Sequence, residues 1–359
     1  MPQRPSLASV QALRGIAAVL VVLFHLRIVE ERYGGGATLL PDAMRFADGG
    51  VDLFFVISGF IMATITAGTF DGTGAARRFL ARRAWRILPL YWFYTTIVVA
   101  LMVIAPGLAN SSYQDQSIVL SYLLWPQPVL PVLTVGWTLI HEMYFYLVIA
   151  ALLALGRPRL LMPALLVWTL LVVVAHLVPS PGTAWYALIS SPMTLEFVGG
   201  AVLGLHWRRI PRSMGALLLC SGATVFAMAL PVLHMAGAEQ GPVLRTMVFG
   251  TSSVLVLAGA VLLEDAGRFT VPASLKAIGD SSYSLYLSHV FVVSAVGRLW
   301  HMSGLTTAWW HHATFLACAV GLSILVGLAS FHLLERPLLR AGQHLLPGRK
   351  RTQATAQPV

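Results

Sequence analysis

An all-α, polytopic membrane helix bundle is the fold this sequence predicts, and three observations predict it. Of 359 residues, 57% are hydrophobic and 11% are charged, whereas soluble domains carry about 25% charged residues. The apolar residues gather into long runs, many of them close to the roughly 20 residues needed to cross a hydrocarbon core. Lys and Arg concentrate in alternate gaps between those runs, which is the charge pattern of a chain threaded repeatedly through a bilayer.

The spans follow in order. The first, 9–29, reads "SVQALRGIAAVLVVLFHLRIV". Others are expected near 50–67, 88–106, 135–155, 160–178, 186–206, 213–233, 242–263, 275–299 and 308–334, giving about ten transmembrane helices. The segment 118–131, "IVLSYLLWPQPVLP", is too short and too rich in proline to cross, and reads as a re-entrant or interfacial piece. An N-terminus inside the cell puts about 19 of the 24 basic residues in the cytoplasm. These include Arg4, the run 77–86, Arg157, Arg159, the run 208–212, Arg268, Lys276 and the C-terminal segment. Only Arg27, Arg32, Arg45, Arg245 and Arg298 fall near the outer face. Counting 118–131 as a span would send the later basic loops outside, against the positive-inside rule. Both termini are therefore expected in the cytoplasm. The formal net charge of +10 is a topology signal, and no nucleic-acid partner is expected.

The apolar run after Arg4 has no small-residue cleavage site behind it, so it is expected to be a retained helix. Residues 1–345 are expected to form one membrane domain and 346–359 a short cytoplasmic polar tail, disordered by its composition. Cys220 and Cys318 each lie within an apolar stretch, which predicts buried free thiols and no disulfide.

Ionisable groups inside spans cost several kcal/mol and face a protein interior or water. They are Arg14, His25, Asp52, His141, Glu142, Glu196, Asp280 and His289. Arg14 and His25, eleven residues apart, share a helix face about 16 Å apart along the axis. A snorkelling Arg14 and a packing His25 remain the alternative. The span directions put His25, Glu142 and His289 at one depth, with Asp52 above them. A His beside a carboxylate in a dry site suits a general base; a polar cluster that holds helices together is the alternative. In "RRFLARRAWRILPLYW", Arg83 and Arg86 share a helix face beside the membrane. A guanidinium pair there suits bidentate phosphate binding, with a nucleotide-phosphate donor and lipid headgroups as the two candidates.

The motifs "ALRGIAAVLVVLFHL", "GGVDLFFVISGFIM", "FLARRAWRILPLYW", "GWTLIHEMYFY", "SYSLYLSH" and "LLERPL", in that order, together resemble the acyltransferase-3 family of integral membrane acyltransferases. The form around Glu142 is most similar to the branch that O-acetylates bacterial exopolysaccharides. The resemblance implies a functional pair in Arg14 and His25, an acyl-CoA-associated pair in Arg83 and Arg86, and a motif glutamate in Glu142. It further implies transfer of an acyl group, commonly acetyl, from cytoplasmic acyl-CoA to a glycan hydroxyl, in the bacterial cytoplasmic (inner) membrane. The acceptor would be a surface or exopolysaccharide glycan or its lipid-linked oligosaccharide precursor, and membrane lipids the surrounding partner.

The expected arrangement is then two-ended. Arg14, Arg83 and Arg86 hold acetyl-CoA, with Arg14 near the pantetheine path. His25 acts as general base, oriented or charge-balanced by Glu142. Asp52, Tyr146 and His289 line the acceptor side. Ser58 is read as a packing residue that permits close helix approach. The sequence has no metal-spaced cluster, and no metal is expected, since a thioester donor already favours transfer. The competing function is a proton-coupled transporter of a glycolipid or small molecule, with the intramembrane His and Glu as a relay. The absence of paired repeats or matched broken helices counts against it.

Overall fold

The computed structural model describes residues 7–105, 115–235 and 241–345. Arg4 and the tail expected at 346–359 lie outside the described residues. Within them the chain is helical, with no strand. The first helices are α1 (Ala8–Tyr33), α2 (Gly49–Thr66), α3 (Thr73–Ile104), the short α4 (Ile118–Tyr122) and α5 (Trp137–Ala154). Then come α6 (Leu161–Leu177), α7 (Ala184–Ile189), α8 (Thr194–His206), α9 (Gly215–Met235), α10 (Pro242–Arg245) and α11 (Thr251–Asp265). The chain closes with α12 (Ala273–Asp280), α13 (Ser282–Ser303), α14 (Trp309–Ser330) and α15 (Arg336–Leu345).

Nine stretches among the described residues are long and apolar enough to cross a membrane, which makes this a multi-pass membrane bundle. The expected ninth span, 275–299, is not among them and divides into α12 and α13. Helix α13 has 22 residues, long enough to cross at 1.5 Å per residue, but its serines, His289 and Arg298 make it more polar than the rest. The expected span 186–206 is also interrupted, between α7 and α8, at Pro192. Proline lacks an N–H and disfavours the helical conformation in the residue before it. The 118–131 segment forms only the five-residue α4 and a proline-rich loop, so it does not cross.

Glycine sets how closely the central helices approach. A Cβ on Gly59 would lie 2.0 Å from the Phe197 carbonyl oxygen, and one on Gly200 would lie 1.9 Å from that of Val56. Helices α2 and α8 therefore meet backbone to backbone, as small residues allow in lipid. Gly279 brings α12 equally close to α1, with a Cβ there 1.8 Å from the Gln11 carbonyl oxygen. Hydrogen bonds from the Ala8 and Ser9 amides to the Glu264 carboxylate (2.8 Å each) tie the start of α1 to the end of α11. These contacts fix α2 against α8, and α1 against α12 and α11, and α1 and α2 carry Arg14, His25 and Asp52.

Apolar residues such as Leu170, Leu217 and Leu325 lie on the outside of the bundle, the face a bilayer covers. Cys220 and Cys318 are exposed there as free cysteines, which corrects the expectation that they are buried. In a membrane protein an apolar stretch faces lipid as readily as protein, so apolar neighbours do not imply burial.

Substituting Gly200 by Val should cost at least about 3 kcal/mol, because the new side chain meets backbone that cannot withdraw. Gly199→Ala, whose new Cβ meets only a flexible Val254 methyl at 3.2 Å, should change little. Thermal unfolding of the two purified variants in detergent measures the difference.

Candidate active site

A cavity of about 330 Å³ opens among α1, α2, α3, α5 and α13. On α2 its lining runs from Val51 to Met62, eleven residues and so about 16 Å along the bundle axis. Its two ends differ. At one, Gln11, Arg14, Arg83, Arg86 and Ile61 line it and are only half-buried. At the other, Val51, Phe55, Thr138, Leu139 and Tyr286 line it and are each 7% exposed or less. One end is thus basic and open, the other apolar and walled.

Two helices bring the arginines together. Arg14 stands on α1, where its Nη1 donates to Gln11 Oε1 at 3.2 Å. Arg83 and Arg86, three residues apart on α3, face the same cavity, as their helical spacing predicts. The Arg83 guanidinium also lies over the Phe79 and Tyr146 rings, at 5.8 and 5.9 Å from their centroids. Glu142 faces this basic end. Its Oε1 accepts from Ser58 Oγ at 3.1 Å and, in a short hydrogen bond, from the Tyr146 hydroxyl. A second carboxylate, Glu335, is 2% exposed and lies within electrostatic range of Arg14. Its Oε2 accepts from Ser284 Oγ at 2.6 Å.

His25 and His289 form a pair of their own. His25 Nδ1 lies 2.9 Å from the Val21 carbonyl oxygen, and His289 Nδ1 lies 3.2 Å from that of Leu285. A carbonyl oxygen only accepts, so both Nδ1 atoms carry hydrogen. His289 Nε2 is then a lone-pair acceptor, and it lies 3.2 Å from His25 Nδ1. The shared hydrogen fixes the His25 ring and leaves its Nε2 as a bare lone pair. Tyr286 joins the pair to the cavity: it lines the walled end and its ring centroid is 6.0 Å from that of His289.

The structure therefore gathers Arg14, Arg83, Arg86, Glu142 and Tyr146 around one cavity, with His25 and His289 beside its far end. Three details differ from expectation. Glu142 makes no contact with His25, because it faces α2 and the arginines whereas His25 faces α13. Tyr146 stands at the basic end, not with His289, because α5 runs toward that end and residue 146 is about 12 Å further along it than Thr138. Asp52 is outside the cavity lining altogether. It is fully buried, and its Oδ2 lies 2.6 Å from Arg245 Nη2, while Arg245 Nη1 lies 2.5 Å from Asp48 Oδ2. This clamp fixes the first turn of α2, the helix that carries Ser58.

Sequence reasoning left out Ser58, Glu335, Thr138 and Tyr286. Ser58 stands in the run "ISGF", where a small residue reads as packing. Glu335 is charged but stands beside arginine near the C-terminal basic segment, so it reads as a surface residue. Asp52 and Glu196 both lie near one guanidinium, that of Arg245.

Comparison with known proteins gives the same direction. Residues 7–329 match the family model described as an acyltransferase domain. The chain is 34% identical to the exopolysaccharide production protein ExoZ of Rhizobium meliloti over 303 residues, covering 82% of this chain and 90% of that protein. It is 27% identical to a putative membrane-bound transacylase, BcsY, of Komagataeibacter xylinus, over 91% of this chain and 81% of that protein. It is 22% identical to the O-acetyltransferase OatA of Staphylococcus aureus, over 94% of this chain but 58% of that longer protein. No solved structure matches the chain.

Replacing Arg245 by Leu should destabilise the protein by about 3–5 kcal/mol, since it strands the buried Asp52 carboxylate. Arg212→Ala, which removes an exposed pair with Asp265, should cost no more than about 1 kcal/mol. Melting temperatures of both variants in one detergent measure the contrast.

Proposed function

Because the chain belongs to the acyltransferase-3 family of integral membrane acyltransferases, we propose that it is a membrane O-acyltransferase with an acyl-CoA donor and a glycan acceptor. The transferred group is acetyl, and the acceptor a hydroxyl of a bacterial surface or exopolysaccharide glycan or of its lipid-linked precursor. The observation that carries this reading is the cavity itself: three guanidiniums from two helices at an open end, and a walled end that adjoins a neutral histidine pair. The relatives' names support it, one an exopolysaccharide production protein and one an O-acetyltransferase.

On this reading the basic end faces the cytoplasm of a cell whose inner membrane holds the bundle. Arg83 and Arg86 bind the CoA phosphates through charge-assisted, bidentate hydrogen bonds, and Arg14 lies along the path of the pantetheine arm. Glu142 balances these cations and, through Ser58 and Tyr146, fixes the wall beside them; it does not orient His25. The acceptor hydroxyl approaches from the side of the histidine pair. His25 Nε2 takes its proton as the oxygen attacks the thioester carbonyl. The new ester C–O bond forms, the C–S bond breaks, and the proton passes on to the departing thiolate. His289 positions His25 by accepting its Nδ1–H. Asp52 acts at a distance, by holding α2 in place.

The test is transfer of radiolabelled acetyl from acetyl-CoA to the exopolysaccharide fraction of the host cells, by protein in nanodiscs. His25→Ala should lower transfer by about 10²–10⁴-fold, the usual worth of a general base, with acetyl-CoA binding retained. Arg83→Ala and Arg86→Ala should each weaken acetyl-CoA binding by about tenfold, the loss of one charge-assisted hydrogen bond. Full transfer by His25→Ala would refute the base role.

A further inference from the structure

The walled end of the cavity has a definite stop. The Tyr286 hydroxyl lies 2.9 Å from the Val135 carbonyl oxygen and 2.8 Å from Thr138 Oγ1, and Thr138 Oγ1 lies 3.1 Å from the same carbonyl. Two hydroxyl hydrogens serve three close contacts around one acceptor, so the phenol is held from two sides. The ring is also packed edge-on against Phe54, with centroids 6.1 Å apart, and has His289 behind it. Tyr286 is 7% exposed and Thr138 is 6% exposed. A side chain with its hydroxyl tied and its ring packed on both sides cannot swing aside without breaking those hydrogen bonds. Interiors of this kind respond to an added methylene by strain, not by flow.

We propose that Tyr286, fixed by Thr138 and the Val135 carbonyl, is the end wall of an acyl subsite and limits the transferred group to short acyl chains. The inference rests on the donor assignment made above. A polyanionic donor held by the arginines at the open end must point its uncharged thioester and acyl tail inward. The tail then ends against Tyr286, in a lining of Val51, Phe54, Phe55 and Leu139. Chain length is set where the tail stops, and a methylene too many is excluded by the phenol ring. This assigns selectivity to a residue whose ring also lies against His289, so the reacting carbonyl of a short acyl group lies at the cavity end nearest the histidine pair.

The experiment measures CoA release from acetyl-, butanoyl-, hexanoyl- and octanoyl-CoA by the full chain in nanodiscs, with host exopolysaccharide as acceptor. The wild type should use hexanoyl-CoA at least about 100-fold less well than acetyl-CoA, in kcat/KM, a ratio within reach of a well-packed pocket. Tyr286→Phe keeps the ring but frees it from Thr138 and Val135, and should relax that length profile by less than the alanine variant does. Tyr286→Ala opens space on the order of the 150 Å³ that houses a benzene-sized group, and should raise the hexanoyl-to-acetyl ratio at least about tenfold. Tyr286→Leu, a smaller change should the alanine variant not fold, should raise the ratio for butanoyl-CoA first. A wild type that uses hexanoyl-CoA as well as acetyl-CoA overturns the inference. So do folded alanine or leucine variants that change all four esters by one common factor. If the wild type releases CoA from none of the four, the donor assignment beneath the inference fails, and the loss of the whole series distinguishes that result from a change of profile.

Discussion

Three guanidinium groups held together inside an apolar bundle are the constraint on which the arrangement turns. Arg14, Arg83 and Arg86 line one cavity, and like charges in a medium of low dielectric repel strongly. Two carboxylates answer them, Glu142 from α5 and Glu335 from beyond α14; Glu142 accepts from Ser58 of α2 and from Tyr146 one turn along its own helix, and Glu335 from Ser284 of α13. The cavity keeps a surplus of positive charge, which an anion from water can complete. A purely structural network would have matched the charges and closed over them. This one remains open at the basic end.

Holding that cluster requires helices that do not slide. The glycine contacts of α2 with α8 and of α1 with α12 remove any side chain between the backbones, so axial displacement meets carbonyl oxygens and not flexible atoms. The Asp48–Arg245–Asp52 clamp pins α2 from its other end. Ser58, two turns down the same helix, is thereby delivered to Glu142. Polar groups far from the cavity thus act on it through the rigidity of one helix, with no contact to it themselves.

Much of the bundle was legible in the sequence, because apolar length and basic loops report the bilayer directly. The spans near 9–29, 50–67 and 135–155 correspond to α1, α2 and α5. What was not legible was which polar residues meet. Depth along the axis placed His25 and His289 together, since α1 and α13 run in the same direction, with Gly279 against Gln11 at one end and Gly297 against Val29 toward the other. Depth alone did not place Asp52, whose facing direction depends on how α2 is rotated against its neighbours, while Tyr146 stands further along α5, beside Arg83. Rotation is set by tertiary contacts such as Gly59 on Phe197 and Gly200 on Val56, and a single sequence does not encode these as a local pattern. Cys220 and Cys318 were misjudged for a related reason. Lipid and protein interior select the same residue types, so composition does not separate an inner face from an outer one.

The division of polar groups between the two ends has a chemical logic under the proposed function. A CoA donor carries its negative charge on phosphates that stay hydrated until bound, so cations serve it where the cavity meets water. An acceptor hydroxyl is neutral and needs a lone pair, not a charge. The His25–His289 pair supplies that lone pair with no ion at all, since each Nδ1–H is spent on a backbone carbonyl of its own helix and His289 Nε2 takes up the remaining contact. A carboxylate beside His25 would have had to be paid for by desolvating a charge at the apolar end. Keeping Glu142 among the arginines avoids that cost and leaves the far end neutral, so an uncharged thioester can lie next to a base without a competing anion.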